Sequence, residues 1–329
     1  MSALRTVSLL AIVLWLGGCC CAGGYRAKDQ PYYSWSYTYS RFFDDDPYWW
    51  TRVINLGGAN ASSGKGTTIA IIGTGVLKGH EDLGEIRPGL RTCVNPPDDN
   101  ITDGKSGHGT QLAGIAVGKR NGDHTRGVAP DAALIPIKVD CGGGVTSAAL
   151  TQGIDAAIAG KPDVVLIALG GYPDVEEFLL KRVASVNSSI LFVVASAWDP
   201  ANGPAPAWTK LPNALVVAAM TLDADAKDRT KIATDDGVPK EIPYDTRRGD
   251  IWAPGRAVGT ADNKPEGAAK HNGFSMHGTS PASAMVAGCA LLVKEKSPLM
   301  GAGLKTRLLE KADDVPKLGR RLNCGNAVP

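Results

Sequence analysis

The segment His277-Gly278-Thr279-Ser280-Pro281-Ala282-Ser283, running on into Met285-Val286-Ala287-Gly288, decides how this sequence folds. It does so together with an earlier one, Ser106-Gly107-His108-Gly109-Thr110-Gln111-Leu112-Ala113-Gly114. In each, a glycine turn hands one polar residue to the start of an apolar helical run. Gly278 and Thr279 deliver Ser280 to a helix N-terminus, where backbone N–H groups and the dipole favour developing negative charge. His108 opens its helix in the same way. Its imidazole is of the kind that takes a serine proton as general base and returns it to a leaving amine. Read alone, either segment would pass for a capping serine or a structural histidine.

A third segment, Thr68-Ile69-Ala70-Ile71-Ile72-Gly73-Thr74-Gly75, is an apolar run ending in a glycine turn. Shorter stretches fall between and after these: Gly127-Val128-Ala129-Pro130, Ile135-Pro136-Ile137-Lys138-Val139, Ala168-Leu169-Gly170-Gly171 and Trp252-Ala253-Pro254-Gly255. The ordered set resembles the signature blocks of the subtilase family of serine proteases, over roughly residues 46–327. The resemblance implies a subtilisin-like three-layer αβα fold, with a mostly parallel, doubly wound sheet in a single domain. It also implies serine endopeptidase chemistry, with Ser280 as nucleophile and His108 as general base.

Hydrophobic patterning points to the same class. Unbroken apolar runs at Thr67–Ile72, Ala133–Val139, Val164–Leu169, Ile190–Ala195 and Ala214–Ala219 read as strands covered on both faces. Helices are expected at Gly109–Val117, Ser147–Ala159, Val175–Val186, Thr279–Lys294 and Gly303–Lys311. Strands alternating with helices imply a parallel sheet with right-handed crossovers. The 329 residues suffice for such a core. A net charge of +2, from 35 basic and 33 acidic side chains, argues against a nucleic-acid partner.

The sequence departs from the family at the sites that matter most. Where the family ends its first strand in aspartate, this chain has Gly73. That aspartate orients the imidazole, fixes its tautomer and stabilises the imidazolium, and glycine does none of these. His80-Glu81-Asp82-Leu83 matches a separate family segment, and Asp103, five residues before His108, is read as loop scaffold. Thr74 carries a hydroxyl but no charge. Where the family places an oxyanion-donating asparagine, the sequence reads Ala195-Ser196-Ala197-Trp198-Asp199-Pro200, with Trp198 at that position and Asn202 a stand-in nearby. Ala284 and Met285 replace a proline and a histidine after the nucleophile. The edge carrying Leu169, Gly170 and Gly171 is the expected peptide-binding strand, where glycines admit a close backbone.

Two functional readings lead, ahead of a third in which the chain is a non-hydrolytic structural lipoprotein with no peptide recognition. One is a peptidase whose hydrolysis is weak or impaired because histidine and serine are kept and aspartate is lost. The other is a catalytically dead pseudoprotease that binds peptides or proteins. No cofactor is expected. Calcium sites occur in the family, but no local acidic pattern carries one over to this sequence, and no metal ligand set is read. His80, His124, His271 and His277 read as surface or loop residues.

Residues 1–21 read as an export signal: a weakly basic start, the apolar run Val7–Leu16, then Leu16-Gly17-Gly18-Cys19. The tetrapeptide resembles the lipobox of bacterial lipoproteins, with Cys19 the lipidated residue. The alternative is ordinary secretion. Residues 22–45 form an aromatic and acidic linker, and residues 46–327 the peptidase-like domain. No chaperone-sized pro-region fits between signal and domain. The expected partners are a peptide or protein substrate, and a membrane through Cys19; the chain is expected to be a monomer. Export permits disulfides among Cys93, Cys141, Cys289 and Cys324, with three possible pairings. Cys289 sits in an apolar helical run and reads as a small core residue.

Overall fold

The run Thr68–Gly73 becomes strand β1, buried along its whole length. The computed structural model describes residues 48–120, 126–169, 180–185, 189–202, 207–222, 241–261 and 274–329. After β1 come β2 (Leu90–Arg91), β3 (Ala133–Lys138), β4 (Val164–Ile167), β5 (Leu191–Ala195) and β6 (Ala214–Leu222). Then follow β7 (Glu241–Pro243), β8 (Ile251–Pro254), β9 (Val258–Thr260), β10 (Phe274–Met276), β11 (Asp313–Val315) and β12 (Gly319–Arg321). Ten of them form one sheet in the order β11-β12-β8-β6-β5-β4-β1-β3-β2, with β7 paired onto β6. From β2 to β8 along that order every pairing is parallel. The antiparallel pairings are β6 with β7, the terminal hairpin β11–β12, and the separate pair β9–β10.

The helices are α1 (Trp49–Val53), α2 (His108–Val117), α3 (Ser147–Ala159), α4 (Thr279–Lys296), α5 (Gly301–Glu310) and α6 (Cys324–Ala327). Side chains alternate across each strand and so divide the core in two. Ile69 and Ile71 of β1 pack with Leu112 and Ile115 of α2 and with α4 on one face. Ala70 and Ile72 pack with Leu150 and Ile154 of α3 on the other. The helical residues 180–185 lie on that second face, with Val183 buried in it. Helix α4 is the central helix: Thr279 through Val293 are all buried. No helix among the described residues is long and apolar enough to cross a membrane.

The α/β architecture expected from the sequence is therefore present, and the five long strands lie within a few residues of their expected bounds. Val164–Leu169 is shorter than expected, because β4 ends at Ile167. Of the expected helix Val175–Val186, residues 180–185 are described and helical; the remainder lies outside the described residues. The sequence reading missed β2 and β7 to β12, strands of two to four residues that are too short for a period to register. The structure pairs Cys93 with Cys141 and Cys289 with Cys324. Cys289 is thus a core residue, fully buried, and a bridge as well.

Order and crossovers locate the crevice. From β1 the chain goes through α2 to β3 on one side, then returns through α3 to β4 on the other side of β1. Helices α2 and α3 consequently cover opposite faces. Such a reversal opens a cleft at the carboxyl ends of the two strands. Gly73 ends β1 there, and Ala168 follows β4.

Candidate functional site

Gly73 pairs in register with Lys138. By alternation both positions face the α2 and α4 side, two residues on from Ile71 and Pro136. Gly73 is buried, yet a Cβ built on it would meet no atom within 4 Å. Beyond it the chain turns sharply through Gly75, at φ +103°, where a Cβ would sit 2.4 Å from the Ile101 carbonyl oxygen. The first turn of α2 docks on this loop. The Gly109 amide donates to Thr74 Oγ1 at 2.9 Å, and a Cβ at Gly109 would lie 2.0 Å from the Gly75 carbonyl oxygen. Asp103 ties the same parts together. Its Oδ1 accepts from the Thr74 hydroxyl at 2.6 Å, and its Oδ2 accepts from the Thr110 amide at 2.8 Å and from the Thr110 hydroxyl. Scaffolding is therefore what Asp103 does, and its acceptor capacity is spent on the loop and on α2.

These contacts fix His108 at the first position of α2, half-buried. Its Nδ1 is enclosed and has no hydrogen-bond partner. Burial pushes the imidazole pKa below its ordinary value, and the charges of Asp103 and Asp140 pull the other way. Asp140 makes no hydrogen bond to Nδ1. Its Oδ1 accepts from the Gly142 amide at 2.6 Å, while its own amide approaches the Gly73 carbonyl at 3.3 Å. Lys138 is buried and donates from Nζ to the Thr102 carbonyl at 2.5 Å. Burial lowers its pKa, against the opposing pull of Asp103. Lys138 and Asp140 were not singled out from the sequence. The signal was their period of two at the end of an apolar strand, which puts both on the face of Gly73.

Ser280 is the second residue of α4 and only 7% exposed. Gly278 makes the turn before it at φ 102°, and its amide donates to the Gly255 carbonyl at 2.7 Å. Thr279 Oγ1 donates to the Ser196 carbonyl at 3.0 Å, which joins the start of α4 to the end of β5. The Ser280 hydroxyl donates to the Ala168 carbonyl at 3.5 Å, a long bond. No hydrogen bond joins Ser280 to His108. The two helices are nonetheless closely packed: at Gly288 of α4 a Cβ would lie 2.9 Å from the Ala116 carbonyl of α2. In unliganded serine hydrolases the nucleophile–base bond is often long and tightens only when substrate binds.

Trp198 lies in the loop after β5, partly buried. Its amide donates to Ser196 Oγ at 3.2 Å, and its carbonyl accepts from the Arg248 amide at 3.0 Å. Asn202 lies in the 3₁₀ turn Pro200–Asn202. Leu169 packs against the α3-side core. Gly170, Gly171, His124, His271 and Cys19 lie outside the described residues. His80 sits apart from the site, its Nδ1 accepting from the Asp82 amide at 3.1 Å. A cavity of about 480 Å³ beside it, lined by Lys78, His80, Arg87 and Asp99 among others, includes none of the residues expected to be functional. Among the described residues no group of three or more His, Cys, Asp or Glu is placed to hold a metal ion.

Comparison with known proteins gives this arrangement its context. A profile of the Subtilase family matches residues 64–326. Subtilisin DY of Bacillus licheniformis is 30% identical over 261 residues, 78% of this chain and 87% of that protein. Alkaline elastase YaB of a Bacillus strain is 31% identical over 238 residues, 72% of this chain and 56% of that protein. Among solved structures, the MycP3 protease from the type VII (ESX-3) secretion system superposes with a TM-score of 0.64 at 24% identity, covering 86% of this chain and 88% of that one. This structural likeness speaks for the fold alone. The profile spans the strand ending at Gly73 and the helices opened by His108 and Ser280, and on that evidence the chain belongs to the subtilase family.

Proposed function

We propose that this chain is a serine-endopeptidase homologue acting on peptides or proteins, with hydrolysis weakened by an incomplete triad. His108 is the general base, Ser280 the nucleophile, and Gly73 stands where the orienting carboxylate is missing. The observation that carries the reading is the enclosed Nδ1 of His108, which has no partner. A carboxylate there would hold the Nδ1–H tautomer and leave Nε2 free to take the serine proton. Without it, both tautomers compete and the imidazolium formed during attack has no counter-charge. Neither Asp103 nor Asp140 fills the role, because neither is hydrogen-bonded to the ring.

For attack, the Ser280 hydroxyl has to leave the Ala168 carbonyl and turn to His108 Nε2. Its 3.5 Å bond is a weak restraint on that rotation. The amides at the start of α4 face the developing oxyanion. Trp198, at the expected place of the second donor, offers an indole N–H and a bulky ring. The peptide is expected along the edge carrying Leu169, Gly170 and Gly171.

The reading is tested with a fluorophosphonate probe on the purified protein. Slow labelling of Ser280, abolished in Ser280→Ala and accelerated in Gly73→Asp, is the expected result. Labelling no greater than in the alanine control, in both wild type and Gly73→Asp, would favour the second reading, a peptide-binding module without turnover. That reading draws on Gly73, which leaves the base unoriented, and on Trp198, whose ring stands where the oxyanion donor is expected. Export also belongs to the proposal, with anchoring through a lipid on Cys19. A Cys19→Ser variant that still sediments with membranes would remove the anchor.

A further inference from the structure

We infer that the space at Gly73 is a binding site for a small free monocarboxylate, of formate or acetate size, that hydrogen-bonds to Nδ1 of His108 and supplies the charge the chain lacks. The inference rests on the incomplete-triad reading and extends it with a ligand.

Two independent observations describe the site. Gly73 is buried, but its side-chain direction is open for at least 4 Å. The Nδ1 of His108 is enclosed and unpartnered. An open space in a close-packed interior is uncommon, and so is a buried polar atom without a partner. Here they fall on one face of the sheet, at the same strand end. The Thr74 hydroxyl, one residue past Gly73, holds the amide of Gly109, one residue past His108.

The ligand class follows from what the site asks for. In the tautomer that frees Nε2 to act as base, Nδ1–H needs an acceptor, and the imidazolium formed in catalysis needs a negative charge. Water meets the first need only. The deleted group is a methylene and a carboxylate, and acetate has that same set of heavy atoms. The charges facing the site are mixed: Asp103 and Asp140 disfavour an anion, while Lys138, in register with Gly73, and protonated His108 favour one. The donors from Thr74 and Thr110 point Asp103 toward the loop and α2 but leave its charge in place, so Lys138 and His108 have to outweigh it.

With the site filled, the carboxylate accepts Nδ1–H and stays ionised throughout. As the Ser280 Oγ–carbon bond forms, the hydroxyl proton passes to Nε2. As the C–N bond breaks, Nε2 gives that proton to the leaving nitrogen. Water then completes deacylation by the same path, and the carboxylate is not consumed.

The test uses the full chain in chloride buffer with sodium formate added at constant ionic strength, and two readouts. The first is the titration of His108 by NMR, assigned with His108→Gln. Saturable formate binding should raise its midpoint by about 1–3 units, the effect of one opposite charge at close range. Chloride and nitrate should not do so, and Gly73→Asp, already carrying its carboxylate, should not respond. The second is the fluorophosphonate labelling rate of Ser280, expected to rise at least tenfold with formate in wild type only. Gly73→Val, which fills the space with an apolar group, should abolish both responses and guards against misfolding of the aspartate variant. The inference is overturned if formate leaves the His108 titration where chloride does, or if Gly73→Val responds like wild type. Labelling restored by Gly73→Asp with no formate effect sinks this inference alone. A formate-shifted His108 with labelling absent in every variant upholds the site and sinks the peptidase reading.

Discussion

At the scale of the residue, the chemistry turns on one nitrogen. His108 Nδ1 is buried without a partner, and burial holds the imidazole pKa below its ordinary value despite Asp103 and Asp140. A depressed pKa keeps the ring neutral and able to act as a base, so the acid limb of any wild-type activity should lie below the ordinary histidine range. An aspartate at position 73 stabilises the imidazolium and raises that pKa. Gly73→Asp should therefore move the acid limb to higher pH while raising the maximum rate. Loss of the corresponding aspartate from subtilisin costs about 3 × 10⁴ in turnover, which bounds the gain. The stability sign follows from the same shift. In wild type the unfolded chain takes up the histidine proton first, at its ordinary pKa near 6.5. Stability is thus lost as pH falls from there toward the lower folded value. In Gly73→Asp this particular loss should shrink. Labelling rates and urea midpoints at pH 7.5 and 5.5, in both proteins, check the two signs; an acid limb that stays put in Gly73→Asp would mean the new carboxylate does not reach the ring.

At the scale of the element, two glycines in contiguous structure have opposite tolerances. Gly109 lies in the first turn of α2, where a Cβ would be forced to 2.0 Å from the Gly75 carbonyl oxygen. Alanine gains up to about 1 kcal/mol of helix propensity there, but backbone cannot give way as a flexible side chain does, and overpacking costs about 1–3 kcal/mol or more. Gly73→Ala meets no atom and should be neutral or stabilising by roughly 0.4–1 kcal/mol. Urea denaturation of the two variants reads the contrast, and equal stabilities would refute the docking of α2 on the Thr74–Gly75 turn. The same comparison shows what was legible in the sequence. The long strands could be read because each is an unbroken apolar run buried on both faces. The hairpin β11–β12 could not: it has three residues a side, and side-chain bonds of Asp313 to Arg321 and Asn323 hold it. His108 and Ser280 were legible as residue types after glycine turns. That no other group partners Nδ1 was not, because it depends on Asp103 being bound to Thr74 and Thr110 and on Asp140 being turned to Gly142.

At the scale of the whole molecule, the C-terminal residues close the fold. The Cys324 amide donates to the Ile54 carbonyl at 2.7 Å, and Asn55 Nδ2 donates to Asn323 Oδ1 at 3.0 Å, so the two ends of the described domain meet. The bond from Cys324 to Cys289 then fastens both to the central helix α4. The second disulfide, Cys93–Cys141, instead joins the segments after β2 and β3, toward the edge of the sheet. Sequence separations of 35 and 48 give each bridge a similar loop-closure stabilisation, roughly 4 kcal/mol, with the longer loop ahead by only about 0.3 kcal/mol. Packing decides the order. Cys289 and Cys324 are fully buried, so alanine at both leaves one void the size of the two bonded sulfur atoms in the core, at about 1–2 kcal/mol. Cys93 is partly buried and Cys141 exposed, and alanine there leaves little void. The double variant Cys289→Ala, Cys324→Ala should therefore be the less stable of the two double variants, by about 1–2 kcal/mol in chemical denaturation. The reverse order would show that loop entropy, rather than the packing of α4 against the closing segment, dominates what the bridges contribute.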